Sequence, residues 1–153
     1  MKAHKQLNTF LEPYNGDIQS LTIELRQFII DLAPEANELI WDNYNAVAIA
    51  YSKSEQLKDA FCHIAVYSKH VNFGFNRGTE LTSHHIKLEG KGKLIRHLKV
   101  KNLNEFLQKE IQALVLEAAA LSELLNPTLV NKTAAGKSLV MSVSAKKLRP
   151  SKT

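Results

Sequence analysis

Apolar residues recur at intervals of three and four in two long segments of the chain, and this spacing predicts two amphipathic helices. Asp17 can cap the first, which ends before Pro34 because proline blocks helix continuation. Asn104 can cap the second, which ends at Asn126 before another proline. A short helix ahead of both is predicted from the spacing of Leu7, Phe10 and Leu11.

Between the long helices the apolar period falls to two, which is typical of strands with one buried face. The five predicted strands are residues 38–44, 46–51, 61–67, 70–76 and 95–100. Their short connections favour antiparallel pairing. The sequence therefore predicts an α+β fold, with about five strands in a mainly antiparallel sheet and the N-terminal and C-terminal helices packed on one face.

The third and fourth predicted strands form a hairpin if they pair about Ser68-Lys69. This register places apolar alternates opposite one another throughout. The predicted pairs are Val66 with Val71, Ile64 with Phe73, and Cys62 with Phe75. We expect these six residues to form one buried face of the sheet.

The other face of the hairpin is polar and aromatic. It is predicted to carry His63 and Tyr67 on one strand and His70 and Asn72 on the other. By the same alternation the last strand adds His97 and Lys99. Convergent polar groups over a sheet predict a small pocket.

Small residues leave room above this polar face. The alternates of strand 46–51 on that side are alanines. Trp41 and Tyr44 lie just upstream and are candidates for a pocket wall, because an amphipathic aromatic ring suits a site that is apolar at one end and wet at the other.

Arginines near the predicted face favour an anionic ligand. Arg77 and Arg96 can each offer a forked guanidinium, and Lys99 adds a further cation. The turn at residues 90–92, Gly-Lys-Gly, can direct backbone N–H groups at an anion. The alternative is that these charges are a solvated rim and that the glycines only permit a tight turn.

Length and cysteine content bound the class of protein. A chain of 153 residues with 44% hydrophobic content predicts a single globular domain. One cysteine cannot form an intramolecular disulfide, which favours a reducing compartment and a cytoplasmic location. No segment approaches the roughly 18 apolar residues of a membrane span, so neither export nor membrane anchoring is expected.

The net charge of +5 is concentrated in the last part of the chain. Residues 127–153 contain six Lys or Arg and no Asp or Glu, and residues 1–126 contain 14 basic and 15 acidic residues. We expect one domain over 1–126 and a basic, disordered tail over 127–153. Nucleic-acid binding is expected only non-specifically, through the tail.

Imidazoles on the polar face raise the question of metal binding and catalysis. His63, His70 and His97 could hold iron or zinc, but no carboxylate falls on the predicted face to complete a ligand set. Cys62 belongs to the buried alternates and is expected to be inert. We therefore predict no cofactor and no catalytic residue. A homodimer through the polar sheet face remains an alternative to ligand binding.

Two glycine-containing segments, HVNFGFNRG at 70–78 and LEGKGKLIRH at 88–97, resemble the YdhG-like domain of unknown function. The LAP sequence at 32–34 and the helix before it share the likeness, which spans residues 17–125. The resemblance implies a compact α+β fold with an antiparallel sheet and flanking helices. One branch of that family is described as a frataxin-like iron chaperone, so the resemblance implies metal handling as an alternative to binding a small anionic or polar ligand.

Overall fold

The computed structural model describes residues 1–82 and 86–148. Its helices are α1 (Leu7–Leu11), α2 (Gly16–Leu32) and α3 (Gln108–Leu125). Its strands are β1 (Asn37–Asp42), β2 (Val47–Ser52), β3 (Ala60–Val66), β4 (Val71–Phe75), β5 (Arg96–Val100) and β6 (Ser138–Val143). The α+β class predicted from the sequence is confirmed.

All six strands form one sheet in the order β5-β4-β3-β2-β1-β6. Each neighbouring pair is antiparallel except β1 and β6, which are parallel. The expectation of about five strands is therefore too low, since the sheet has six, and the pairing of β1 with β6 makes a mainly antiparallel sheet mixed. The additional strand lies within 127–153, where the sequence predicts no regular structure, because its order depends on pairing with a distant segment.

The predicted hairpin register is confirmed. Strands β3 and β4 pair Cys62 with Phe75, Ile64 with Phe73, and Val66 with Val71. The amide of Tyr67 donates to the carbonyl of His70 at 3.0 Å, which closes the turn about Ser68 and Lys69. All six residues that parity assigns to the core are buried, and Phe61 and Gly74 of the opposite parity are buried as well.

The main core lies between the sheet and helices α2 and α3. It contains the buried alternates of β3 and β4 together with the apolar stripes of both helices. An aromatic group joins the layers, with the Phe28 ring edge-on to Phe106 at a centroid distance of 5.1 Å and to Phe73 at 6.3 Å. Such pairs add roughly 0.5–1.5 kcal/mol each to the effect of area burial.

Both predicted helix caps differ from those observed. Helix α2 is capped by Asn15, whose Oδ1 accepts from the Ile18 amide at 2.9 Å, and Asp17 lies in its first turn. Helix α3 begins only at Gln108. Asn104 instead lies in a separate 3₁₀ turn that Asn102 caps. Asp and Asn side chains can cap an α-helix and can equally stabilise a nearby turn. Their presence alone therefore does not identify which residue caps the helix.

A buried polar cluster attaches β6 to the rest of the sheet. The fully buried carboxylate of Glu38 pairs with Nε of Arg26 at 2.6 Å. The same carboxylate accepts from the hydroxyl of Tyr51 at 2.8 Å and from the hydroxyl of Ser138 at 2.6 Å. Since buried charges require such partners, Ser138 gives β6 a defined position beside β1.

Candidate functional site

The sheet face that turns away from the helices, which we call the distal face, is formed by the alternates of the core residues. Pairing registers set two rows of side chains across it from β1 to β5. The first row consists of Trp41, Ala48, Ala65, Asn72 and Lys99. The second consists of Leu39, Ala50, His63, Gly74 and His97. With strands about 4.8 Å apart, each row is roughly 19 Å long.

The distal face has a low centre between taller ends. Alanine and glycine occupy the middle of both rows, while Trp41 stands at one end and Lys99 at the other. In the second row Leu39 and Ala50 are buried, whereas the first four members of the first row are half-buried and Lys99 is exposed. The first row is therefore the accessible floor of a shallow trough.

Polarity changes along the trough. Its β1 end is apolar and aromatic, and its β4–β5 end carries the amide of Asn72, the ammonium of Lys99 and the imidazoles of His63 and His97. Neither row contains an Asp or Glu. An antiparallel bridge between Glu89 and His97 extends the second row by one carboxylate. The first row ends at Lys99, and it is therefore the row that can attract an anion.

His63 is held in one orientation by two neighbours. Its Nδ1 lies 2.9 Å from Oδ1 of Asn76. Its ring also lies across Gly74, where any β-carbon would collide with the imidazole. With Oδ1 facing the ring, Nδ1 carries the proton, and Nε2 of the neutral imidazole keeps its lone pair.

Burial lowers the pKa of His63, and His97 on β5 lowers it further, against an opposing effect of the hydrogen bond with Asn76. The unfolded chain takes up this proton near pH 6.5. Between that pH and the lower folded-state pKa the unfolded state binds more protons, so the stabilisation from neutral His63 is present above about pH 6.5 and is lost as pH falls.

We therefore expect the free energy of unfolding to decrease between about pH 7.5 and pH 5, and to decrease less in His63→Gln. Urea denaturation of both proteins at several pH values measures this difference. Equal losses in the two proteins would contradict the account of His63.

The turn end of the hairpin adds a stacked pair to the trough. The rings of Tyr67 and His70 lie nearly parallel, 5.1 Å apart and inclined by 22°. Partial burial lowers the pKa of His70, and the Lys99 ammonium lowers it next most strongly. Although the Asn72 side chain interacts with His70, its solvent-shielded Oδ1 has no donor in hydrogen-bonding geometry. Among the described residues, Oδ1 of Asn72 is therefore a hydrogen-bond acceptor without a protein donor at the cationic end of the trough.

The two arginines predicted to accompany the histidines lie away from the distal face. Nε and Nη2 of Arg77 pair with the carboxylate of Glu80 at 2.8 and 2.5 Å. Arg96 is opposite Phe75 in the core-facing set, and its Nη1 donates to the carbonyls of Gly92 and Ile95, both at 2.7 Å. Both guanidinium groups are thus engaged with the chain itself.

The glycine turn before β5 serves the backbone. Gly90 has a φ of +140°, a conformation that side chains rarely permit. Gly92 directs its carbonyl at the Arg96 guanidinium. The turn therefore presents a backbone carbonyl to Arg96, whereas the sequence predicts that its backbone N–H groups face an anion.

The two aromatic candidates for a pocket wall are separated. Trp41 stands at the β1 end of the trough, opposite Ala48. Tyr44 lies in the β1–β2 connection, 46% exposed, and its carbonyl accepts from the Leu148 amide at 2.7 Å. Of the two, Trp41 is the one placed within the rows of the distal face.

Neither thiol nor metal chemistry is assembled in the parts of the chain that the structure describes. Burial raises the pKa of the fully enclosed Cys62 thiol well above its usual range. Within residues 1–82 and 86–148, no three His, Cys, Asp or Glu side chains are grouped so that they could hold a metal ion. His84 and His85 lie outside the described residues.

Two cavities lie near the arginines. One of about 30 Å³, enough for roughly one water molecule, is lined by Arg77, Phe61 and residues of α3. The other, of about 420 Å³, is an open groove bordered by Gly78, Leu88 and Arg96. Neither is lined by residues of the two distal rows, so neither of these cavities brings the arginines together with the histidines of the distal face.

Asn76 is the site residue that sequence reasoning did not assign. It follows β4, on the same parity as Asn72 and Gly74. In the observed register His63 is opposite Gly74, so Asn76 lies diagonally from the imidazole. A long side chain reaches such a diagonal neighbour. The signal was therefore present in the predicted hairpin.

Comparison of the chain with protein-family models, with curated protein sequences and with solved structures finds no match. The resemblance to the YdhG-like domain consequently stays a prediction. Among the described residues, no helix is long and apolar enough to cross a membrane.

Proposed function

We propose that this protein is a binding module for a small organic anion, which it holds in the trough of the distal face. The observation that carries the proposal is the composition of the first row. It runs from Trp41 over two alanines to Asn72 and Lys99, with no carboxylate along it. A ligand with an apolar body and one acidic group is complementary to this row, because the row is apolar at the β1 end and cationic at the β5 end.

Each end of the trough would supply a different part of the binding free energy. The Lys99 ammonium would neutralise the acidic group and the His97 imidazole could donate an N–H to it, and a hydrogen bond to a charged group contributes about 1.5–3 kcal/mol. Ala48 and Ala65 would give the apolar body a flat support at about 25 cal/mol per Å² of buried apolar surface. Because the trough is shallow, we expect a dissociation constant of roughly 0.1–1 mM.

The only tryptophan of the chain gives a direct measurement. Trp41 fluorescence is expected to change saturably on titration with cyclohexanecarboxylate, an apolar anion that does not absorb at the excitation wavelength. The neutral analogue cyclohexanecarboxamide is expected to produce little change. Equal responses to both compounds, or none to either, would contradict the proposal.

Variants locate the response on the trough. We expect Lys99→Ala to weaken carboxylate binding by roughly tenfold, the effect of losing about 1.4 kcal/mol. Lys109→Ala provides the matched control, since Lys109 is an exposed lysine on α3. Sedimentation analysis distinguishes the homodimer alternative: a dimer that persists at micromolar concentration and that Lys99→Glu dissociates would mean that a second copy occupies this face.

A further inference from the structure

The two edge strands of the sheet are protected to different extents. On β5, Glu89 exchanges two backbone hydrogen bonds with His97, at 2.7 and 2.9 Å. Arg96 and Lys99 add charge along the same strand. Strand β6 has the sequence SLVMSV, without a charge or a proline. Charges, proline and covering segments are the usual means by which proteins prevent pairing at a sheet edge, and β6 has neither charge nor proline.

The backbone of β6 directs hydrogen-bonding groups outward. The Glu38 amide donates to the carbonyl of Lys137, the residue before β6, at 2.8 Å. Because successive residues of a strand alternate the direction of their N–H and C=O groups, Leu139 also faces β1. Ser138 and Val140 therefore direct their backbone groups away from the sheet. Among the described residues, no segment beyond β6 forms a backbone hydrogen bond with Ser138 or Val140, and the His4 amide contacts Ser138 only at its side-chain Oγ, at 2.9 Å. These backbone groups form the edge that an added strand would use.

Apolar side chains continue along this edge. Met141 is 41% exposed and Val143 is 53% exposed. The pairing with β1 shifts between Ile40 and Trp41, so that Met141 is the extra residue of a bulge. Aliphatic side chains at an outward-facing strand favour an extended, alternately apolar partner.

Charge indicates the chemistry of that partner. Lys137 precedes β6 and Lys146 follows it, and residues 127–153 contain no acidic residue. Lys147, by contrast, is paired with Asp42 at 2.7 Å. An antiparallel second copy of β6 would bring like charges together at both ends, whereas a strand flanked by carboxylates would be attracted.

We propose that β6 is a docking edge for another protein, which contributes an extended segment with an apolar centre and carboxylates at both ends. The segment adds to the sheet as a seventh strand beside β6. Backbone groups of Val140 hold it, and Lys137 and Lys146 select its charge. This interaction surface is separate from the trough of the distal face.

A pair of labelled peptides tests the proposal on the full chain. The first alternates Val and Thr over about five residues between paired glutamates, and the second replaces the glutamates by lysines. Fluorescence anisotropy is expected to show saturable binding of the acidic peptide and at least about tenfold weaker binding of the basic one. The double variant Lys137→Glu/Lys146→Glu is expected to reverse this preference.

Two further measurements place the peptide on the edge. Val140→Pro removes an outward N–H without removing a bond to β1, and is expected to abolish binding of both peptides. If this variant unfolds, hydrogen exchange of the wild-type protein is used instead. Adding the acidic peptide is then expected to slow exchange at the Val140 amide. The proposal is overturned if neither peptide binds, if charge reversal leaves the preference unchanged, or if Val140 stays unprotected. It is also overturned if sedimentation analysis shows a dimer that Val140→Pro dissociates and Lys99→Glu does not, since a second copy would then occupy β6.

Discussion

Arg26→Met is expected to lower the free energy of unfolding by about 3–5 kcal/mol, the largest loss we predict for this protein. Arg26 is paired with Glu38 at 2.6 Å, and Glu38 is fully buried. Removing the guanidinium leaves a carboxylate in the core that, among the described residues, keeps two hydroxyl donors, Tyr51 and Ser138, to offset its desolvation. Urea denaturation at neutral pH measures the loss.

A second substitution separates the charge from the packing. Adding Glu38→Gln to Arg26→Met removes the orphaned charge and keeps side-chain oxygen and nitrogen atoms beside Tyr51 and Ser138, so most of the stability is expected to return. Glu24→Gln, on the exposed side of the same helix, is the control and is expected to change stability by less than about 0.5 kcal/mol. If the double variant were as unstable as Arg26→Met alone, buried charge would not be the cause.

Gly74→Ala is expected to destabilise the protein by about 1–3 kcal/mol and to remove carboxylate binding. A β-carbon at this position enters the space of the His63 imidazole, which must move away and give up its contact with Asn76. The displaced ring would then fill part of the trough. Urea denaturation and the Trp41 titration measure the two effects.

The same substitution in a His63→Ala background tests the mechanism. With the ring absent, Gly74→Ala is expected to cost little, because the collision has been removed. Gly92→Ala is the matched control, since nothing lies within 4 Å of a β-carbon there. A cost for Gly74→Ala that is the same with and without His63 would contradict this explanation.

Much of the distal face could be predicted because strand alternation needs no knowledge of distant partners. Placing Cys62 and Phe73 in the core was enough to put His63 and Asn72 on the opposite side. The same parity also contained the correct position of Arg96, since Arg96 and Leu98 face the same way on β5. The prediction that Arg96 and His97 bind one ligand relies on their charge, whereas strand alternation places these neighbours on opposite faces of the sheet.

The features that escaped prediction depend on long-range contacts. Nothing local in SLVMSV requires a strand, and its order comes from β1 and from the bond between Ser138 and Glu38. The sequence pattern offers Arg77 to an anionic ligand, whereas in the fold the guanidinium pairs with Glu80 three residues later. Sequence patterns report the preference of a segment, and the competition between possible partners is decided only in the folded chain.

The bond between Ser138 and Glu38 joins residues 100 positions apart, which has a consequence for the order of assembly. Before β6 arrives, β1 is the outer strand of a five-stranded sheet, and the Glu38 carboxylate lacks one of its partners. Long-range pairings of this kind follow local ones, because ordering the intervening chain costs entropy first. We expect the burial of Glu38 to be the closing step of folding, so that a strand absent from the sequence pattern completes the native state.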